Sequence, residues 1–302
     1  MIPVPIAFLA VILIWSTTPL AIQWSSEGWG YLFGITGRMV LGALVCVALV
    51  LVLRQKVPLD RKARQTYAAA GLGIYGAMMC VYWSSQYIPS GLIAVLFGLS
   101  PITVAVLAAV FLEEDSLTAG KIAGALLGLA GLVVIFGADF NGQAVPWQGI
   151  VVMLGSVTLH SLSAIWVKRI NSGYPALTVT TGGLLVVAPL YLLTWIIGDG
   201  HVPHEISLRP GAALVYLGVF GSVIGFSLYF YILKRMDASR VALIPLITPV
   251  TALLLGQRFN HEVVSIEVWM GAALIVAALS MHQWGDQWLR VIKAVLVPVK
   301  RP

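Results

Sequence analysis

Charge is what this chain has least of. Lys, Arg, Asp and Glu make up 10% of its 302 residues, where an ordinary soluble domain carries about a quarter. Soluble helical proteins space charges through their apolar segments, whereas here uncharged apolar runs of about 20 residues recur along the whole length. That pattern excludes a soluble fold. Cysteine is as scarce: Cys46 and Cys80, both inside apolar runs, provide neither a disulfide framework nor metal-ligand spacing. Carboxylates are absent from the apolar runs and sit at their ends and in loops. With no paired-carboxylate cluster, no Cys/His pattern, no phosphate-cradling glycine loop and no nucleophile elbow, neither an enzyme site nor a cofactor or metal is expected.

What is present is hydrophobicity: 59% apolar residues and a mean hydropathy of +0.94. The first apolar run begins at Ile2 with no basic stretch before it and no small-residue cleavage pattern after it, so a retained span is expected and not a removed signal peptide. Breaks at charges and at Gly, Pro and Asn clusters divide the chain into ten spans: Val4–Ile22, Tyr31–Leu53, Tyr67–Tyr87, Ser90–Leu112, Thr118–Gly137, Trp147–Val167, Ala176–Ile197, Ala212–Leu233, Ser239–Gln257 and Ile266–His282. Backbone in hydrocarbon must satisfy its own hydrogen bonds, so runs of this length are helices, and the short alternating strands of a β-barrel are missing. The expected class is an all-α integral membrane protein.

The ten spans are two sets of five. At an offset of 148 residues, Ala94 pairs with Ala242, Pro101 with Pro249, Thr103 with Thr251, Leu107 with Leu255, Phe111 with Phe259 and Glu114 with Glu262. The register continues without a gap through Ala125/Ala273, Leu126/Leu274 and Ala130/Ala278. Residues 1–140 are then the first repeat and 141–283 the second, with the loop from Gly137 to Pro146 as the seam. An odd number of spans per copy turns the second copy upside down relative to the first, the arrangement that secondary transporters use around a midplane site. Residues 284–302 remain as a cytoplasmic tail. Trp284, Trp288, Val291, Ile292 and Val295 at helical spacing suit an amphipathic surface helix there, with a disordered tail as the alternative.

Basic residues set the orientation. Arg54, Lys56, Arg61, Lys62, Arg64, Lys121, Lys168, Arg169, Lys234, Arg235, Arg240, Arg290, Lys293, Lys300 and Arg301 all fall on one side if both termini are cytoplasmic, leaving Arg209 and Arg258 outside. The net charge of +6 therefore reports topology and contact with an anionic bilayer, and calls for no nucleic-acid partner. Glu113, Glu114 and Asp115 precede span five, where Thr118 or Ser116 can cap; they suit a helix N-terminus, with gating contacts the alternative.

A few residues stand out against the apolar background. Arg38 lies about eight residues into span two, where a guanidinium costs a few kcal/mol unless it faces the bundle interior or a wet cavity. It is a candidate for an anionic substrate group such as a carboxylate, or else a structural anchor. His160, flanked by Thr158, Ser161 and Ser163, is a candidate for proton coupling, or a neutral hydrogen-bonded core histidine. Trp15, Ser16, Thr17, Thr18 and Pro19 make a polar break in span one, since Pro19 frees a carbonyl and the hydroxyls stand beside it. Tyr75, Met79, Tyr82 and Trp83 are spaced to share one face of span three. With Phe97, Trp166, Phe226 and Tyr229 they are candidates for a cavity lining, interfacial aromatic belts being the alternative. Pro101 and Pro249, each after a hydroxyl residue (Ser100, Thr248), and Pro245 one turn earlier in span nine are expected to kink their helices near the midplane.

These features resemble the drug/metabolite transporter superfamily, in particular its EamA-type members. The resemblance rests on Trp15-Ser16, on Arg38, on Tyr82 to Ile88 running into Ala94, Pro101, Glu114 and Gly124, and on Tyr229, Tyr231, Ala242, Pro249, Glu262 and Gly271. It extends to about His282. It implies a ten-helix inverted-repeat carrier of the inner membrane, usually an exporter of amino acids or related metabolites, with a cavity formed mainly by spans one, three, four, six, eight and nine. The run Gly256-Gln257-Arg258-Phe259-Asn260-His261 before Glu262 is more polar than the family pattern and leaves Glu262 without an assigned role. The expected function is alternating-access movement of a small neutral or zwitterionic metabolite, export favoured over import. The alternatives are a sugar-phosphate or nucleotide-type antiporter, a multidrug exporter and, from another class, a membrane-embedded enzyme or scaffold subunit.

Overall fold

The computed structural model describes residues 3–111, 118–137, 139–140, 143–144, 146–203, 205, 207–241, 244 and 248–296. Glu113, Glu114, Asp115, Ser116, Ala242 and Pro245 lie outside them. The helices are α1 (Val4–Ser26), α2 (Tyr31–Val52), α3 (Arg61–Gly71), α4 (Met78–Ser84), α5 (Ser90–Phe97), α6 (Ser100–Phe111), α7 (Ala119–Phe136), α8 (Trp147–Ile170), α9 (Ala176–Gly198), α10 (Leu208–Tyr216), α11 (Gly225–Leu233), α12 (Ala238–Val241), α13 (Thr248–Asn260) and α14 (Ile266–Leu296). In the seam, Asp139–Phe140 pairs antiparallel with Gln143–Ala144. Among the described residues six helical stretches are long and apolar enough to cross a membrane, and Ala119–Ile135 and Ile266–Met281 are shorter apolar helices. The two other predicted spans, three and nine, also carry helix, over α3–α4 and α13. The bundle turns large apolar side chains outward, among them Leu13, Val52 and Ile197, as a multi-pass membrane protein must when hydrocarbon is its solvent.

Two features were invisible to periodicity. Leu72–Ala77 and Leu217–Ile224 are π-helical turns, joining α3 to α4 and α10 to α11. Gly73 and Gly221 fall inside them at the 148-residue offset. A π turn inserts about one extra residue into the helix and rotates everything beyond it. Its backbone polar groups are met from outside: the Tyr191 hydroxyl donates to the Ile74 and Tyr75 carbonyls at 2.6 and 3.0 Å, and the Ser156 hydroxyl donates to the Ala77 carbonyl at 2.8 Å.

Span four divides at Phe97–Ser100, and Pro101 stands in the first turn of α6. Proline is at ease there, because the first turn leaves its amide positions unpaired anyway. Pro249 of α13 lies beside this break: a Cβ on Gly98 would lie 3.5 Å from Pro249 Cγ.

Two helix ends are capped across the fold. Thr118 makes no side-chain cap to α7; instead Asp286 of α14 accepts from the Gly120 amide at 3.0 Å. That correction follows from the α7–α14 packing, in which glycines let the backbones meet: a Cβ on Gly271 would sit 2.8 Å from the Gly131 carbonyl oxygen. The tail corrects similarly. α14 runs unbroken to Leu296, so residues 284–296 continue the last apolar helix instead of starting a separate surface helix.

Candidate functional site

A cavity opens between the two halves of the chain. Trp15, Thr18, Pro19 and Ile22 of α1, Arg38 of α2, Met78 and Val81 of α4, and Ile93, Ala94 and Phe97 of α5 line it from the first half. His160 of α8, Phe226 of α11 and Thr248 of α13 line it from the second. Counted to its open mouth it holds about 580 Å³ of empty space. Its shape comes from the breaks already described. Pro19 lies within α1, and the Thr17 and Thr18 hydroxyls donate to the Ile14 carbonyl at 2.9 and 2.7 Å. The ends of α5 and α13 bring Phe97 and Thr248 to its wall.

His160 sits among aromatic rings, with centroids of Trp15 at 5.7 Å, Phe97 at 5.5 Å and Tyr229 at 5.3 Å. Among the described residues no hydrogen bond and no carboxylate reaches it. Tyr229 faces a smaller adjoining space with Trp15, His160, Ser100 and Val104. Arg38 is 1% exposed. Its Nε donates to the Ser222 hydroxyl at 3.0 Å, and its guanidinium carbon stands 6.0 Å from the centre of the Tyr82 ring.

Other predicted lining residues are placed elsewhere. Tyr75 turns to α9, where its hydroxyl shares a 2.7 Å hydrogen bond with Thr194 and its ring packs 4.8 Å from Tyr191. Met79 is absent from the lining and Met78 takes its place; Tyr82 is fully buried behind Arg38. The π turn explains the shift, since it rotates α4 away from the face that an uninterrupted helix would present. Thr17 is committed to the Tyr216 hydroxyl at 2.6 Å, and Ser163 donates to the Ala69 carbonyl at 2.7 Å, tying α8 to α3. Trp166 is 50% exposed on the outside of the bundle and does not reach the cavity. A signal for Met78 was available: it is the counterpart of Phe226 at the 148-residue offset.

Beyond Ile22 a polar network crosses one end of the bundle. Glu262 Oε1 accepts from the Ser90 amide at 3.0 Å and the Ser90 hydroxyl at 2.6 Å, and Oε2 accepts from the Gly91 amide at 3.3 Å. The carboxylate thus caps the N-terminus of α5 from 172 residues away. Asn260 Nδ2 donates to Glu262 and to Gln23 at 3.1 and 2.9 Å, while its oxygen accepts from Trp24 Nε1 and Arg209 at 3.1 and 3.2 Å. Gln23 closes the circuit on the Ile88 carbonyl at 3.1 Å.

The sequence profile of the EamA-like transporter family matches residues 3–137 and again residues 147–282. The chain belongs to the EamA-like transporter family. Both matches fall on the two halves that face the cavity. Among the relatives, the "Uncharacterized inner membrane transporter YedA" of Escherichia coli K12 is 25% identical over 299 residues, covering 97% of this chain and 94% of that one. The "Uncharacterized transporter YoaV" of Bacillus subtilis is 24% identical over 284 residues, covering 93% and 97%. An "Uncharacterized transporter" of Archaeoglobus fulgidus is 27% identical over 217 residues, covering 69% and 74%. A crystal structure shares the fold with a TM-score of 0.72 at 22% identity, covering 95% of this EamA-like chain and 98% of its own.

Proposed function

We propose that this EamA-like protein is a secondary carrier of the inner membrane that moves small organic metabolites, amino acids or related neutral or zwitterionic compounds, by alternating access, with export the favoured direction. The observation that carries this reading is the cavity built jointly by the two halves, beside the helix break between Phe97 and Ser100. In this reading the chain crosses the bilayer ten times as two inverted five-helix repeats, with both termini cytoplasmic. The paired π turns and the break at Gly98, with Pro249 beside it, supply the hinges. The Glu262–Asn260–Gln23 network then closes the outer end, and rocking of one half against the other exchanges that closure for one on the cytoplasmic side. His160 is the group on which a coupling proton would act.

Reconstitution tests this directly. Purified protein in proteoliposomes preloaded with one amino acid should exchange it for labelled amino acids or aromatic metabolites faster than protein-free vesicles. No exchange across a broad panel overturns the reading.

A further inference from the structure

Among the described residues, Arg38 is a cation without an anion. Its side chain is 1% exposed, its Nε is held by Ser222, and its Nη1 is buried with no hydrogen-bond partner. Among the described residues no carboxylate pairs with it; the two ion pairs found there join His201 to Asp199 and Arg209 to Glu27. A guanidinium keeps its charge at every accessible pH and offers its N–H groups as a flat fork. Buried polar groups are otherwise satisfied, and a buried charge left unpaired is among the more costly features a fold can carry. Arg38 belongs to a cavity wall whose other members are Trp15, Phe97, Phe226, His160, aliphatic side chains and the Thr18 and Thr248 hydroxyls.

Resting on the carrier reading above, we infer that the cavity takes its substrate by a carboxylate. The acid group seats on the free side of the Arg38 fork, and a flat apolar body lies among Trp15, Phe97 and Phe226. One permanent cation in a largely apolar wall suits a single negative charge; a phosphate dianion needs more N–H donors than Arg38 and the His160 ring provide. The amino group of an amino acid is not read, because the lining holds no acid and offers an ammonium only neutral partners, the Thr18 and Thr248 hydroxyls and the His160 ring. The carboxylate is the required element and the ammonium a dispensable one.

Four compounds of nearly equal size separate the possibilities: 3-phenylpropionate, phenylalanine, 3-phenylpropionamide and phenylalanine amide. In wild-type proteoliposomes the two acids should exchange, and the two amides should be at least tenfold slower. Arg38→Gln should lose acid exchange at least tenfold, and Arg38→Lys, which keeps the charge without the fork, should lose less. Melting of the purified protein gives an independent readout. 3-Phenylpropionate should raise the apparent Tm of the wild type and leave that of Arg38→Met unmoved. Arg38→Met alone should melt no lower than the wild type, because it removes an uncompensated charge, whereas a purely structural arginine would be missed. Amides exchanged as well as acids, or acid exchange unmoved in Arg38→Gln, overturn the carboxylate assignment. So does exchange of other neutral metabolites with none of either acid, and in each of these cases the carrier reading stands. No exchange of any compound overturns both.

Discussion

Replacing Glu262 tests whether a carboxylate 172 residues distant holds the start of α5. Glu262 is 9% exposed and takes the Ser90 amide, the Ser90 hydroxyl, the Gly91 amide and Asn260 Nδ2 within 3.3 Å. Loss of an ordinary helix cap costs about 1 kcal/mol, and each hydrogen bond to a charged group is worth about 1.5–3 kcal/mol. These terms are not additive, since water reaches part of the site once the side chain is gone. About 3–5 kcal/mol is expected for Glu262→Ala, the range for removing one partner of a buried charged arrangement. At about 2 °C per kcal/mol for a chain of this size, that is a fall of about 6–10 °C in apparent Tm. Glu262→Gln retains one acceptor oxygen and should lose about half as much, while Ser90→Ala keeps the backbone amide and should cost about 1–2 kcal/mol. The assay is thermal unfolding of the purified protein in detergent, followed by tryptophan fluorescence. If Glu262→Ala melts within 2 °C of the wild type, the carboxylate is not what anchors α5 and the closure assigned to it fails with it.

Three further outcomes follow from particular contacts. Gly271→Ala places a methyl group 2.4 Å from Ile135 Cγ1 and 2.8 Å from the Gly131 carbonyl oxygen, and should cost about 1–3 kcal/mol by forcing α7 and α14 apart; Gly155→Ala in α8 meets nothing within 4 Å and should gain up to about 1 kcal/mol, so equal melting of the two variants refutes the packing account. His160→Gln should abolish stimulation of transport by an imposed pH gradient while exchange at equal pH survives, and an unchanged response removes His160 as the coupling group. Asp60 caps α3 through the Lys62 and Ala63 amides and accepts a 2.6 Å hydrogen bond from the Tyr174 hydroxyl; that bond chiefly holds the Asp60 carboxyl below the usual carboxylate range, and pushes the Tyr174 hydroxyl up to about 12. A lowered folded pKa gives stability that is fully present above the unfolded value and is lost as pH falls through the folded one. The stability advantage of wild type over Asp60→Asn should therefore be level at neutral pH and shrink in the acid range, and a difference that stays level throughout counts against it.

Hydropathy is additive along the chain, so the sequence by itself determined the membrane class, the helical runs and the break at Pro101. Each depends on local composition or on a proline's own missing amide. Arg38 and His160 were legible for a similar reason, since a polar side chain in an apolar run has few places to go. Only the tertiary structure decided which faces meet. The π turns rotate α4 so that Met78 and Val81 line the cavity while Tyr75 and Met79 do not, and that rotation arises from hydrogen bonds that no two- or three-residue pattern encodes. Trp166 looked like Phe97 in sequence and ended on the outside, because an aromatic side chain in a membrane helix is as stable against lipid as against a neighbour. The caps of α5 by Glu262 and of α7 by Asp286 join residues more than 160 positions apart, and the unpartnered Nη1 of Arg38 becomes visible only when the residues packed around it are in place.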